Sequence, residues 1–462
     1  MSDVYGIMSL AGQALLTQQQ AITVTSHNIA NVNTPGYSRQ QLIMDTNTPL
    51  DSPIGPIGTG VSAEGIERIY DRFLNAQINS ESQGLGRWEA QQNAVQQVEM
   101  IFNEANGSGL SQAMSNFWNA WQSLTTNPDG ATERQVLITA SQVLSTTFNQ
   151  LSADLSQTQR DLDLVVRGTV AEINRLSGQL ADLNVKIISS EAGSLSANDY
   201  RDQRDRLIKE LSEMIDINSF EDASGAVSVL VANGRPLVTA AQYWQLSTET
   251  NVAGLQEVVW VDDVGNTTNI NADISGGKLK GLLEVRDGII TDYKTRLDML
   301  AGKIMDDVNL LHQAGFDLSG IGGEVFFAGT GTAADLEVNP NILADFNLIA
   351  AAGDPTTVPG DGSNAFEIAN LQYGLNMGGT QAYSDYYSAI ARDVGTEVLK
   401  SEAYYNHQSD MMVQLENQRE SVSGVSLDEE MINLIKFQNA YSAAAKLITT
   451  ADEMMQTVLQ MI

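Results

Sequence analysis

Cysteine is absent from this chain of 462 residues, and aromatic residues make up only 6% of it. Without cysteine the chain forms no disulfide and has no thiol nucleophile or cysteine metal ligand. The small aromatic content argues against large aromatic cores and favours long helical bundles with aliphatic seams. The three histidines, His27, His312 and His407, lie far apart in the sequence, so we expect them at the surface or at helix caps rather than in a catalytic or metal site.

Positive charge is also scarce, since 25 Lys and Arg residues face 57 Asp and Glu residues, for a net charge of −32. This balance excludes nucleic acid as a partner, because phosphates would be repelled, and it argues against an anionic membrane surface. No stretch of 18 apolar residues occurs, so we expect no membrane insertion. The N-terminal segment has an acidic leader without a cleavage pattern, which predicts that it is not a Sec signal peptide.

Motifs of catalysis and cofactor binding are missing as well. The sequence contains no GxSxG, HExxH or P-loop motif. The pairs Asp262-Asp263 and Gly360-Asp361 resemble fragments of calcium loops, but the full ligand series is absent, so we interpret both as plain turns. We therefore expect a protein that is not an enzyme and needs no cofactor.

The N-terminal segment has a helical heptad pattern. A chain of this length predicts about two to four domains. Over residues 3–33, Met8, Leu15, Ile22 and Ile29 recur every seven residues, although the intermediate positions are half polar and make the seam weak by itself. Residues 34–62 are rich in proline and glycine, which predicts turns.

The C-terminal segment, residues 427–462, has the clearest coiled-coil pattern. Two adjacent apolar stripes predict partner helices on more than one side. Ser426 and Glu429 have the spacing of a capping box at the helix start. Leu434 and Ile448 share one stripe, and Asn433 is expected on the far face. The first stripe contains Leu427, Met431, Leu434, Tyr441, Ile448, Met455 and Leu459, and the second contains Phe437, Ala440, Ala444 and Ala451.

Between the ends, helical periodicity resumes near Ile66 and is strongest over residues 133–188. About 55 residues without proline would form a rod of about 80 Å. The mixed-charge run 199–206 is expected to form a solvated helix face. Further helices are predicted at 278–313 and 384–422, and a short one contains Phe117, Trp118 and Trp121.

The period changes to two residues in the middle of the chain. Val227, Val229 and Val231 alternate with other residues and precede the hairpin signal Asn233-Gly234. Residues 257–261 and 324–327 predict further strands. The expected fold is therefore multidomain and mainly α, with three parts. These are a discontinuous terminal coiled-coil domain (1–62 and 424–462), an elongated helical-bundle domain (63–215, 276–314 and 381–423) and a β-rich outer domain (216–275 and 315–380).

Several segments carry a family resemblance. Residues 26–40, SHNIANVNTPGYSRQ, resemble the signature of flagellar rod, hook and hook-associated proteins. The Phe117-Trp118 helix with Arg134-Gln135, and the C-terminal stretches 423–430, 437–441 and 451–454, resemble the hook-associated protein 1 family, the junction proteins between hook and filament. The resemblance covers both ends and the helical flank, about half of the chain, and the strand-rich middle has no diagnostic motif.

The resemblance implies the architecture and the partners of that family. The paired terminal helices would form an inner domain, and the β-rich part would face outward. The chain would leave the cell through the flagellar type III export apparatus without a cleaved signal peptide, after a cytoplasmic chaperone had held its C-terminal helix. Outside the cell it would form a ring or helical assembly with further copies on the hook, and it would contact the hook protein and a second hook-associated junction protein.

The candidate assembly residues come from the two ends. Asn28 and Asn31 can satisfy free backbone groups near a helix end, Pro35 and Gly36 stop the helix, and Tyr37 offers a ring with a polar tip to a neighbour. Two alternatives stay open: another axial protein of hook or distal rod, and a secreted adhesin or enzyme acting through 216–375. The other candidates are Leu15, Ile22, Ile29, Leu427, Met431, Leu434, Phe437, Tyr441, Ile448, Met455 and Leu459.

Overall fold

The computed structural model of the chain describes residues 2–51, 55–104, 109–192, 196–231 and 233–460. The fold is multidomain and mainly α, with long helices at both ends, which confirms the predicted class. The helices are α1 (Ser2–Ala30), α2 (Arg72–Phe102), α3 (Leu110–Thr126), α4 (Ala131–Glu191), α5 (Asn198–Met214), α6 (Gly277–Leu283), α7 (Ile290–Ala314), α8 (Pro340–Ala344), α9 (Ser363–Asn370), α10 (Tyr383–Ser423) and α11 (Leu427–Gln460). The strands are β1 (Gln40–Thr46), β2 (Val61–Arg68), β3 (Ile217–Glu221), β4 (Val227–Val231), β5 (Arg235–Thr239), β6 (Gln242–Tyr243), β7 (Leu246–Thr250), β8 (Gln256–Val261), β9 (Thr267–Asn269), β10 (Phe327–Ala328) and β11 (Glu337–Val338).

The N-terminal part contains a hairpin that the sequence did not predict. Strands β1 and β2 pair antiparallel, and Ile66, expected at a helix start, faces Leu42 across this hairpin. Leu42 packs against Ala21 and Val24 of α1, and Phe437 of α11 packs against the same cluster. Helix α1 therefore lies between the hairpin and α11.

Helix α4 confirms the predicted rod. It has 61 residues and spans about 90 Å at 1.5 Å per residue. Its first third packs against α3, where Phe117 and Trp121 are fully buried. Trp118 stacks on Tyr383 at the start of α10, with ring centroids 5.7 Å apart. Helices α2 and α10 pack along each other and extend this core toward the terminal hairpin.

The predicted helix 278–313 is present as α6 and α7, joined by a π-helical turn at Glu284–Ile289. This turn carries the fully buried Arg286. The Arg286 guanidinium donates to the Asp163 carboxylate on α4 and to the carbonyl oxygen of Gln256 on β8, both at 2.7 Å. The turn thus ties the helical core to the strands beside it.

Two small antiparallel sheets lie along the second half of α4, with strand orders β3-β4-β5-β6 and β7-β8-β9. The hairpin predicted at Asn233-Gly234 is confirmed, since both residues have positive φ, 60° and 89°. Asn184 and Asn174 of α4 donate from their amides to the carbonyl oxygens of Val227 and Leu246, both at 2.8 Å. These bonds fix the sheets on the helix.

The region 315–380 is mostly irregular, and its strand covers Phe327–Ala328 rather than the expected 324–327. It packs on α3, α4 and α7. His312 is fully buried beneath it, so the expected surface or cap role was wrong. Its Nδ1 donates to the Glu324 carbonyl at 2.6 Å, and its Nε2 accepts from the Ala350 amide at 2.9 Å. The division into three domains stays a prediction.

Candidate assembly interface

The two ends of the chain meet at Asn28, in the last turns of α1. This side chain is 1% exposed. Its Nδ2 donates to the carbonyl oxygen of Gln40 at 2.8 Å and to Glu430 Oε2 at 3.1 Å. Its Oδ1 accepts from the Tyr37 hydroxyl at 2.7 Å and from the Gln40 amide at 3.0 Å. All four hydrogen-bonding positions of the amide are used, so Asn28 joins α1, β1 and α11.

An ion pair closes the same junction. Arg39 Nε lies 2.7 Å from Glu430 Oε1, and Arg39 Nη1 lies 2.8 Å from Glu429 Oε2. Glu430 is only 2% exposed. Glu429, expected to form a capping box with Ser426, pairs with Arg39 through Oε2, and α11 begins at Leu427, directly after Ser426. We call Asn28, Tyr37, Arg39, Glu429 and Glu430 the terminal clasp.

The sequence suggested that Tyr37 offers its ring to a neighbour. In the structure Tyr37 is buried inside the clasp instead. Its hydroxyl donates to Asn28 and lies 3.1 Å from His27 Nδ1, so the imidazole nitrogen donates to the hydroxyl oxygen. Burial raises the pKa of Tyr37, and the carboxylates of Asp199, Asp202 and Glu430 raise it further. The phenol therefore stays protonated and keeps its donor role.

Helix α5 holds the clasp on the helical core. Asp202 accepts from the Ser38 amide at 2.9 Å and from Arg68 Nη1 at 2.8 Å, and Gln40 donates to Asp199 at 2.8 Å. Within 199–206, Asp202 and Arg204 are buried while Asp199, Tyr200, Gln203 and Arg206 are exposed, so the expected solvated face is present on one side of the helix only. Burial raises the pKa of Asp202, and the bonds from Ser38 and Arg68 oppose this shift.

The turn after α1 has the geometry that its residues suggest. Asn31 donates from its side-chain amide to the carbonyl oxygen of His27 at 3.0 Å, and its backbone N–H donates to the same oxygen at 3.1 Å, so Asn31 adds a second hydrogen bond at the helix end. Pro35 is exposed. Gly36 has a φ of +76°, and a Cβ added there would lie 2.6 Å from Arg206 Cδ. The turn therefore requires glycine, and it lies directly on α5.

Helices α1 and α11 run antiparallel, since Asn28 meets Glu430 while Ala21 and Val24 meet Phe437. Ala444 and Ala451 are buried in the seam. The seam combines positions of both predicted stripes, and Asn433 is half-buried, so its expected place on the far face was wrong. The candidate residues that are half-buried are Leu15, Ile22, Ile29, Leu434, Phe437, Ile448 and Met455.

Helix α11 leaves several apolar side chains exposed. Of the predicted residues, Leu427, Met431, Tyr441 and Leu459 are exposed, and Leu459 keeps 62% of its surface in solvent. Clustered exposed apolar side chains are typical of interaction sites. Further exposed residues on this helix are Ile432, Ile435, Leu447, Met454 and Val458.

The two acidic loops bond to their own backbone. Asp262 Oδ1 accepts from the amides of Val264 at 3.0 Å and Asn266 at 2.7 Å. Asp361 Oδ2 accepts from the Gly353 amide at 2.8 Å. Within the described ranges, no group of three or more His, Cys, Asp and Glu side chains is arranged to hold a metal ion. Nor does any helix in those ranges combine the length and hydropathy needed to cross a membrane.

Sequence reasoning missed two residues that close the clasp, Arg39 and Glu430, and Asp202, which bonds the hairpin to α5. Arg39 and Glu430 are 391 positions apart, and periodicity does not reveal contacts over such a distance. The one available signal was that Arg39 and Glu430 each lie within a segment that resembles flagellar proteins.

Comparisons with known proteins place these features in one family. The family model for the helical domain of the flagellar hook-associated protein FlgK matches residues 95–327, about half of the chain. Flagellar hook-associated protein 1 of Bacillus subtilis (strain 168) is 30% identical over 99% of this chain and 98% of its own length. The chain belongs to the flagellar hook-associated protein 1 family. The same protein of Escherichia coli (strain K12) is 25% identical over 98% of this chain and 99% of its own length.

Membership of the hook-associated protein 1 family agrees with the fold. The flagellar hook junction protein FlgK from Burkholderia pseudomallei has a solved structure that superposes with a TM-score of 0.68 at 16% identity. That match covers 75% of this chain and all of the solved chain.

Four of the five clasp residues lie in segments that match rod-protein models, and Arg39 lies just beyond the first of these segments. A family model of flagella basal body rod proteins matches residues 8–37, which contain Asn28 and Tyr37. A model of the C-terminal part of the flagellar basal body rod FlgEFG proteins matches residues 416–461, which contain Glu429 and Glu430. The two ends therefore match models of flagellar rod proteins, whereas residues 95–327 match the model of the FlgK helical domain.

Proposed function

We propose that this chain is a structural subunit of the bacterial flagellum that forms the junction between hook and filament and is required for filament assembly. The observation that carries this function is the pair α1–α11. Helices from opposite ends of the chain close into one antiparallel unit, and the clasp fixes this unit to α5. The family match of residues 95–327 favours the junction over the hook or the distal rod.

The exposed face of α11 is the surface that we propose for assembly. Leu427, Met431, Tyr441 and Leu459 would contact helices of further copies in a ring or helical assembly. The half-buried seam residues would hold α11 against α1 within each copy. Burial of such apolar residues contributes about 25 cal/mol per Å² of surface removed from water.

The other proposed partners follow from this position. At the junction the chain would meet the hook protein on one side and a second hook-associated junction protein on the other. An exposed apolar helix would be prone to unwanted association in the cytoplasm, so an export chaperone would cover α11 before the type III apparatus carries the chain outside the cell. We also propose that the chain has no enzymatic activity, which its membership of a family of flagellar structural proteins favours.

Co-sedimentation with isolated hooks tests this function. Purified protein should pellet with bare hooks and saturate at an amount that follows the number of hooks rather than their total length. Hooks that still carry filaments are the control, because their distal ends are occupied and should bind little. Equal binding to bare and filament-bearing hooks, or no binding to either, would refute a junction role.

A further inference from the structure

Charged residues are missing from one end of the helical core. Lys, Arg, Asp and Glu make up 18% of the chain, yet residues 105–128 and 135–153 contain none of them. The described part of these two runs forms α3 and the first third of α4, which pack together. The exposed side chains of this surface are Ser, Thr, Asn, Gln, Val and Ala.

A groove crosses this surface between α3 and α4. It encloses about 850 Å³. Val136 and Val143, seven residues apart on one face of α4, are 51% and 48% exposed, and Asn116 and Asn119 of α3 line the facing wall. Cores of protein interfaces are likewise depleted of charge and mix apolar side chains with hydrogen-bonding groups.

A projecting loop lies on the other flank of α3. Residues 368–384, between α9 and α10, are also free of charge. Tyr373 and Leu375 project from this loop with 75% and 59% of their surfaces exposed. The loop ends at Tyr383, which stacks on Trp118. Trp118 lies about 200° around α3 from Asn116 in the groove wall. Groove and loop therefore occupy opposite sides of one helix.

We propose that Tyr373 and Leu375 of one copy seat in the α3–α4 groove of a second copy. Each copy carries a net charge of −32, so lateral approach of two copies is least opposed where both surfaces are uncharged. A groove and a projection on opposite flanks make a head-to-tail contact, and such contacts generate rings or helical arrays. This inference rests on the proposed function, because it supplies a lateral contact within the junction.

Crosslinking tests the contact directly, since the chain has no cysteine of its own. The variant carrying Thr139→Cys and Leu375→Cys would be bound to hooks and treated with a short bis-maleimide. A ladder of covalently linked multimers is expected, because each copy links to the next. Each single-cysteine variant should stay monomeric. The matched pair Leu164→Cys and Leu375→Cys should give no ladder, because Leu164 is exposed on α4 outside the groove.

Other outcomes decide against the proposal. A dimer from Thr139→Cys alone would show that the groove pairs with itself, and a product with the hook protein would assign another occupant. If the double variant does not bind hooks, Asn119→Cys with Thr380→Cys probes the same groove and loop, and absence of a ladder there overturns the contact. Failure of the wild-type chain to bind hooks would instead refute the proposed function.

Discussion

Gly36 lies where the signature segment turns back from α1 onto α5. Its φ of +76° disfavours any residue with a Cβ, and that Cβ would lie 2.6 Å from Arg206 Cδ. We predict that Gly36→Ala costs about 1–2 kcal/mol and loosens the clasp from α5. Hydrogen exchange of residues 31–46 should accelerate, while exchange in α4 stays unchanged.

Gly58→Ala is the matched control for this change. A Cβ at Gly58 would meet nothing within 4 Å, and its φ lies outside the left-handed region. Its exchange profile should equal that of the wild type. The same acceleration in both variants would mean that the Gly36 turn is not a constraint on the clasp.

His312 should make stability depend on pH. Burial lowers the pKa of His312 to about 4, below its ordinary value of 6.5. Between these values the unfolded chain binds a proton that the folded chain does not, so stability is lost as pH falls from about 6.5 toward 4. We predict that this residue alone removes about 2 kcal/mol between pH 7 and pH 5, measured by urea unfolding at both values.

The variant His312→Gln isolates this effect. Glutamine can donate to Glu324 and accept from the Ala350 amide, but it does not titrate. The variant should be less stable at pH 7 yet lose about 2 kcal/mol less than the wild type on acidification. Equal losses in both proteins would show that His312 titrates normally in the folded state.

Among the residues at and around the clasp, local roles can be predicted from the sequence, whereas contacts between distant segments cannot. The roles of Asn31 and Gly36 follow from helix-end and turn chemistry, which depends on neighbours in the chain. The pairing of Arg39 with Glu430 depends on two ends of the chain meeting, and the burial of Asp202 depends on a third segment docking against them. Neither has a local signal.

At the scale of elements, the buried side of α11 is covered by α1. Leu434 and Ile448 are half-buried on the side of α11 that carries Ala444 and Ala451. A carboxylate at either position would bury an unpaired charge, at a cost of several kcal/mol unless the helix moves. We predict that Leu434→Asp and Ile448→Asp abolish hook binding and leave the melting of the α2–α10 core unchanged.

Asn439→Asp is the control for added charge, since Asn439 is exposed on α11 and the substitution keeps its shape. Calorimetry and hook co-sedimentation should give wild-type results for this variant. If the seam variants lowered the melting temperature of the core, α11 would belong to that core. If they bound hooks normally, α11 would not be an assembly element.

Periodicity predicted the long elements because each buries one regular stripe. Residues 133–188 were predicted and α4 spans Ala131–Glu191, with Leu137, Leu144 and Leu155 fully buried along it. The hairpin β1–β2 was missed because proline and glycine surround it and Leu42 is the buried apolar residue of β1. Polar and apolar residues alternate only weakly along β1 and β2, so their sequence is similar to that of a turn region.

At the scale of the whole molecule, the net charge of −32 raises the question of bound cations. The carboxylates of Asp262 and Asp361 already accept hydrogen bonds from their own loops. We predict that a chelator leaves the melting temperature unchanged, measured by calorimetry with and without it. A fall of several degrees that calcium reverses would show that these loops bind metal.

The molecule consists of a packed helical core and a terminal pair of helices. The core, from α2 to α10, buries an aromatic cluster around Phe117, Trp121 and Phe326 and carries the sheets on α4. The terminal pair keeps several apolar side chains of α11 in solvent, and its hairpin is bonded to α5 of the core. We expect a subunit built in this way to fold alone and to assemble through its ends.

Electron microscopy of gold-labelled protein on isolated bare hooks tests most directly whether this chain assembles at the junction through its terminal helices. We predict gold at one end of each hook for the wild type and for Asn439→Asp, and none for Leu434→Asp. Gold along the whole hook, gold at both ends, or unchanged end labelling by Leu434→Asp would contradict assembly at the junction through α11.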